Sequence, residues 1–592
     1  MLIAYFISFI FSQTINPLIS KYLDKFFANL FWYTLLIVGL LINLVGLSEL
    51  GNIFGTSTLP RTWRMLQAGS TFALAINICT FLYAGLLIHR SRISNINQLI
   101  DVSPTQNWVL LGSKFLAILK MQLVLISLVM ITGLLFQTYK GFYDFEIGLY
   151  IYELLVLNLV YFIIWAFLAF LVQTLISNPY VGLFVMIVLL IGIPILSLAG
   201  VEQSIFKYNQ GAGRSYSDMN GYGATLNLYF IYKIYWFSLG LVFSILTALF
   251  YVRGLPSNFN EKIIIAKSRF KGKYPFFITF FTLIFLSIGG YIYYENNILN
   301  KRTTQKESEI ITVEGEKKYK KYENYKQPRI VSVNVDVNIF PSTRDVNASG
   351  EYVMINKTKE AIDSIFLDHN SLISTFKFDK ETDLVSEDTI YNLDIYKLGT
   401  PLYPGDSLKL SFSLKNKPNT VLRNNSQIIY NGTFINSSIF PSLGYSLGEL
   451  RDDKTREKYD LPPNKLKPHP SDSTSLGNTY IAKDADWIDF EATVSTSKDQ
   501  IAIAPGYLQK EWIEGDRRYF HYKMDSKILN FYAFNSAKYE VLKDKWNDVN
   551  LEIYYHKGHE YNLDRMIKGM KAALDYCTEN FSPYQHKQLR TT

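Results

Sequence analysis

The chain has 592 residues, a formal net charge of +8, a mean hydropathy of +0.08 and 49% hydrophobic residues. That length exceeds what one hydrophobic core supports, so at least two domains are expected. The basic residues lie beside apolar segments and in a mixed Lys/Glu stretch, which excludes nucleic acid as a partner, and two cysteines, Cys79 and Cys577, exclude a disulfide framework.

Met1 opens directly into LIAYFISFIF, without the basic start or small-residue cleavage site of a signal peptide, so 1–11 reads as a partial transmembrane helix. Residues 12–29 read as an interfacial helix. Leu18, Ile19, Tyr22, Leu23, Phe26 and Phe27 repeat at helical spacing, with Ser20, Lys21, Asp24 and Lys25 on the other face. A short loop helix packed on protein fits the same pattern. Full spans follow at 30–48, 67–88, 110–136, 149–174, 180–198 and 228–252, a six-span bundle over 30–252. Asn43, Asn77, Glu153 and Asn158 are the polar residues that mark a path through the spans, although Glu153 lies close enough to the outer boundary to reach water. Lys114 and Lys120 are expected to snorkel toward the inner surface.

Two loops stand out. His89–Trp108 is polar, interrupted by Pro104, and runs without a break into the next span. Val201–Thr225 carries Gly211, Gly213, Gly221 and Gly223, but follows no strand and opens no βα unit, so it is no phosphate cradle.

Residues 253–274 hold Arg253, Lys262, Lys267, Arg269, Lys271 and Lys273 against one acid, Glu261, and form a basic cytoplasmic loop. The span at 275–294 therefore runs outward, and everything after it is expected to be extracytoplasmic. Lys21, Lys25, Arg90 and Arg92 fall inside on this topology; Arg61 and Arg64 fall outside, against the rule.

Residues 295–327 read as a charged, solvated linker or spacer helix. Period-two alternation then begins: Val331, Val333, Val335, Val337 and Ile339, later Leu408, Leu410, Phe412 and Leu414, and again Ile488, Phe490, Ala492 and Val494. These place a β-rich sandwich or saddle domain over 328–545. Near its end Leu563, Met566, Ile567, Met570, Leu574 and Cys577 trace one helical face, so 546–592 reads as the start of a further, helical domain. The fold class is a multidomain membrane protein: an α-helical bundle, a mostly-β domain and the start of a helical one. The abrupt first and last segments give the appearance of an internal fragment.

The stretch DVSPTQNWVLLGSKFLA followed by TGLLFQTYKGFYDFEIGLY resembles a bacterial type-2 ABC transporter permease fused to an aminopeptidase N-like zinc metallopeptidase module. GGYIYYENNILN, PRIVSVNVDVNIFPSTRDVNASGEYVMINKT, LYPGDSLKLSF, NGTF, FPSLGY, DADWIDFEATVST and IAPGYL resemble the junction and N-terminal β domain of that fusion. The resemblance implies an inner-membrane location, a lipid bilayer partner and a cytoplasmic ABC ATPase subunit docking on inside loops. Its candidate coupling residues here are Asp101, Ser103, Pro104, Asn107 and Trp108, of which Asp101 or Ser103 equally suits a helix N-cap.

The peptidase family holds zinc with HExxH and a later Glu. No HExxH occurs here: His559-Glu560 is followed by Tyr561, Asn562 and Leu563. The family's Gly-x-Met-Glu-Asn motif is also missing, so this chain is expected to hold no cofactor and no catalytic residue, with zinc and a peptide substrate belonging to a longer parent. Phe440, Pro441, Gly444 and Tyr445 match the family's cleft-facing turn, without its Asp-Glu-Pro tail, and a buried β-domain turn explains them better. No Walker lysine motif is present. The leading reading is thus a permease segment carrying an extracytoplasmic aminopeptidase-like β domain. The alternatives are a membrane-anchored peptidase whose helices only tether it, or a β module that binds or scaffolds.

Overall fold

The computed structural model describes residues 52–592, apart from 54–55, 58, 70–71, 103, 254–257, 301, 370–372, 416–425, 465–468, 470 and 473–485. The partial helix at 1–11, the interfacial helix at 12–29, the span at 30–48 with Asn43, and Ser103 lie outside the described residues. The chain divides into two compact units. One reaches Tyr216 and resumes over Ala224–Asn300; the other comprises Ser217–Gly223 and Lys301–Thr592.

The first unit is helical: α1 (Thr62–Gly69), α2 (Phe72–Ile93), α3 (Asn97–Val102), α4 (Asn107–Tyr139), α5 (Ile147–Leu175), α6 (Pro179–Ile195), α7 (Thr225–Phe250), α8 (Phe259–Arg269) and α9 (Lys273–Leu299). Five of these, α2, α4, α5, α7 and α9, are long and apolar enough to cross a membrane, and α6 is a shorter apolar helix of 17 residues. Local chemistry sets their ends. After α4, Gly141 takes φ +74°, Gly141 N–H donates to Thr138 O and Phe142 N–H to Gln137 O, a Schellman stop. Before α6, the Asn178 side chain accepts from the N–H groups of Tyr180 and Val181, and Pro179 occupies the first helical position.

The bundle core joins α2, α4, α5 and α6 through Ile76, Phe81, Met121, Ile126, Trp165, Phe170 and Met186. Gln173 is buried among them, donating to Phe81 O at 3.4 Å and Pro179 O at 3.2 Å. Gly85 on α2 and Gly182 on α6 make room for it; a Cβ at either would overlap its amide group.

The second unit is mostly β. Its largest sheet has eight strands. Along the main path run β6 (Tyr507–Glu514), β7 (Arg517–Lys523), β5 (Trp487–Ser497), β1 (Arg329–Phe340), β2 (Asp345–Ile355), β4 (Ser407–Lys415) and β3 (Ile373–Phe378), with Ile528–Leu529 pairing β5 off that path. β1 pairs β5 in parallel, with Val335 opposite Ala492 and Val337 opposite Val494. The alternating residues read from the sequence are the buried ones: Val333, Val335, Val337 and Ile339 on β1, Leu408, Leu410, Phe412 and Leu414 on β4, and Ile488, Phe490, Ala492 and Val494 on β5. A four-stranded sheet around Ile362–Asp368 and Leu393–Leu402 and a three-stranded sheet around Ala533–Ala537 contribute to the same core.

A hairpin of Tyr539–Trp546 and Val549–His556 follows, extended in parallel by Gln588–Thr591, and the division expected at 545/546 falls inside it. The helix Leu563–Asn580 lays Ile567 and Leu574 on Leu551 and Ile553 of this small sheet; Cys577 is exposed.

The charged stretch at 295–327 contains a helix, one of the two forms expected, but it is not solvated throughout. Gln305–Tyr319 is a helix opened by a capping box of Thr304 and Glu307, and it buries Val313, Gly315, Glu316 and Tyr319. Tyr319 packs with Phe366, Leu393 and Tyr445, and Tyr391 fills the space beside Gly315.

Candidate functional site in the helical unit

One end of the helical unit gathers helix C-termini and basic side chains. Lys262 on α8 donates to Thr174 O and Leu175 O at the end of α5, both at 3.0 Å. Arg269 donates to Leu249 O at 3.2 Å and Tyr251 O at 2.6 Å at the end of α7, and Arg92 to Val252 O at 3.2 Å. Cations at helix C-termini meet the negative end of the macrodipole, so the fold uses these charges as caps. Lys114 belongs to the same end and does not snorkel: it is 3% exposed and donates to Tyr251 OH at 3.2 Å and Ile88 O at 3.5 Å.

The expected coupling residues lie in the loop at this end. Asp101 is in the short helix α3, half-buried. Pro104 is exposed, Asn107 is the first residue of α4, and Trp108 is 39% exposed with its Nε1 donating to Gln106 Oε1. The Arg253 guanidinium donates to Thr105 O, holding this loop against the segment after α7. The N-cap of α4 is Gln106, without a side-chain capping bond, so Asp101 does not fill that role. Asp101, Pro104, Asn107 and Trp108 share one short, largely exposed segment.

The other polar feature is part-buried. Within α5, Tyr152–Asn158 forms a π turn. In a regular α-helix positions five apart diverge by about 140° round the axis; the wider π ring brings Glu153 and Asn158 to one side. Both meet Arg214, from the loop between α6 and α7. Its Nε and Nη2 donate to Glu153 Oε1 at 3.0 and 2.5 Å, and Nη2 to Asn158 Oδ1 at 2.6 Å. The guanidinium lies 4.9 Å from the centre of the Tyr229 ring, whose hydroxyl donates to Leu157 O at 2.6 Å and so fixes the ring on the π turn. The Arg214 and Glu153 side chains are 22% and 14% exposed.

A second cation stands nearby. Lys233, 6% exposed in the middle of α7, donates to Asn209 Oδ1 at 2.7 Å and Asn209 O at 3.1 Å, and faces the rings of Tyr161 and Tyr229. Asn209 in turn donates to Tyr161 O, and Tyr208 packs among Trp165, Trp236 and Phe243 while its hydroxyl donates to Ile164 O. The part of the loop after α6 that carries Tyr208, Asn209 and Arg214 is therefore folded into the helical unit. Asn77, expected on the same polar path, reaches Tyr161 OH at 3.5 Å. Glu153, Asn158 and Asn77 were legible in the sequence; Arg214 and Lys233 were not. The available signal for Lys233 was a lone charge inside a 26-residue apolar helix.

In the second unit Phe440, Pro441, Gly444 and Tyr445 are buried, Phe440 between Phe412, Tyr532 and Phe534 and Tyr445 against Tyr319 and Leu393. They are core residues of a turn. Of the histidines, His521 pairs with Glu491 at 2.8 Å and His369 approaches Asp394 at 3.6 Å. Among the described residues no three His, Cys, Asp or Glu side chains are grouped as a metal site requires.

No family model matches the chain, and no curated protein matches it. Among solved structures it is similar to an M1 zinc metallopeptidase from Deinococcus radiodurans, at 13% identity and a TM-score of 0.30 over 45% of this chain and 56% of that one. A two-domain M1 zinc metallopeptidase mutant bound to L-arginine matches at 14% identity and a TM-score of 0.30, again over 45% and 56%. The chain thus spans little more than half the length of these structures.

Proposed function

We propose that the helical unit is the membrane-embedded permease segment of a transporter driven by a cytoplasmic ABC ATPase, and that the β unit is its extracytoplasmic aminopeptidase N-like module. The observation that carries the transport reading is Lys233, buried within α7, together with the part-buried pair of Glu153 in α5 and Arg214 in the loop after α6. Ionisable groups inside apolar helices are costly, and helices that only tether a peptidase have no use for them. The ATPase is assigned to the end bearing Asp101, Pro104, Asn107 and Trp108, because the basic residues there mark the cytoplasmic face and the segment is exposed. Zinc and peptide cleavage, on this reading, belong to residues of a fuller parent protein and not to this chain, whose part is the β module alone.

The test is a photo-reactive amino acid at Pro104, in membranes of cells transporting through the complex. An adduct with an ABC ATPase subunit is the expected result; no adduct in an active complex removes the coupling role.

A further inference from the structure

We propose that Glu153, Asn158 and the face of Tyr229 form a binding site for the guanidinium or primary ammonium group of a permeant, which Arg214 of the same chain occupies in this structure. The inference rests on reading the helical unit as a permease and names the chemistry that its interior recognises.

The three walls suit one class of ligand. A carboxylate neutralises a cation, an amide oxygen accepts a further hydrogen bond, and an electron-rich ring face attracts positive charge. Arg214 makes all three contacts at once, with Glu153 Oε1, Asn158 Oδ1 and the Tyr229 ring. The walls belong to α5 and α7, whereas their occupant does not. Arg214 is carried by residues 211–216, which have no regular secondary structure, and a side chain at neighbouring Gly213 would meet open space. The loop is anchored up to Gly211, where Trp236 Nε1 donates to Gln210 O at 2.6 Å and Gly211 packs on Tyr232, so Arg214 would withdraw by movement of the chain after Gly211 while Tyr208 and Asn209 stay seated. The π turn gives the independent indication. It sacrifices regular helix geometry at the one place where Glu153 and Asn158 must converge, as such turns do at functional sites.

An internal occupant lowers the apparent affinity for an external one by the fraction of time the site stands open. The experiment is calorimetric titration of the full chain in lipid nanodiscs, with methylguanidinium chloride as probe and neutral methylurea as its isostere. The wild type is expected to bind methylguanidinium saturably and methylurea not at all. Arg214→Ala is expected to tighten methylguanidinium binding by about tenfold or more, and Glu153→Gln to abolish it. Should Arg214→Ala fail to fold, Arg214→Gln supplies the same comparison with a polar group left on the limb. Binding in either Arg214 variant but none in the wild type would make Arg214 a fixed brace and overturn the proposal. Equal binding of methylurea, or undiminished binding in Glu153→Gln, would overturn it too. The titration contains no ATPase, so its failure is distinct from failure of the Pro104 crosslink, which bears on the permease reading itself.

Discussion

Arg456 and Glu316 meet as a two-pronged ion pair, Nη2 to Oε1 at 2.7 Å and Nη1 to Oε2 at 2.9 Å, with each side chain 1% exposed. The pair bolts the Gln305–Tyr319 helix to the turn after Asp452, and Lys320 adds a contact to the same carboxylate at 2.7 Å. Breaking one side of a buried pair strands the other charge, which costs about 3–5 kcal/mol. Arg456→Ala should therefore lower the urea midpoint of the β unit and speed hydrogen exchange along 305–319. A double change to Glu316→Leu with Arg456→Met should recover most of the loss, since it leaves no stranded charge.

Acid should loosen the same region. Burial alone would raise the Glu316 carboxyl, but hydrogen bonds from Arg456 and Lys320 outweigh it and hold the group below the ordinary carboxylate range. Asp388 behaves likewise: burial raises it, and Lys318, Tyr319 and two backbone N–H groups bring it below. Groups lowered on folding bind fewer protons in the folded state than in the unfolded one, so their stabilisation is complete above the unfolded value and fades as pH falls through the folded one. The urea midpoint should be level at neutral pH and drop below about pH 4. Glu316→Gln should make that drop shallower, which a midpoint-against-pH series would detect.

Gly182→Leu should disturb the helical unit at one point. Its side chain would enter the space of Gln173, whose amide is held between Phe81 O and Pro179 O. Overpacking of this kind costs about 1–3 kcal/mol, read as a lower melting temperature in detergent. The compensating pair Gly182→Ala with Gln173→Ala should melt closer to the wild type than Gly182→Leu does.

Gly350 sits in the middle of β2, where a Cβ would lie 2.7 Å from Asn334 O and 2.9 Å from the Phe412 ring. Gly350→Val should be more destabilising than Gly350→Ala, with both exceeding the roughly 0.5 kcal/mol typical of surface changes. Denaturant unfolding would rank the three proteins, and an unaffected Gly350→Val would contradict the close packing.

Alternation along β1, β4 and β5 was readable because one face of each strand is buried and period two is unambiguous there. The buried face of 305–319 was hidden by its own composition: Glu316 occupies a core position that looks solvent-facing until Arg456, 140 positions later, is brought beside it. The Glu153 site shows the same limit. Its acid is visible in the sequence, but a partner 61 residues away is supplied by the path of a loop, and the π turn that joins Glu153 to Asn158 leaves no mark in periodicity.

The parallel pairing of β1 with β5 joins Arg329–Phe340 to Trp487–Ser497, so a ribosome must add roughly 150 residues between making the first strand and making its central neighbour. Throughout that interval the edge of β1 that β5 will take is open, and its valines and isoleucine lack the cover that β5 brings. Folding of this unit therefore has a built-in waiting period, during which a holdase would have a defined target.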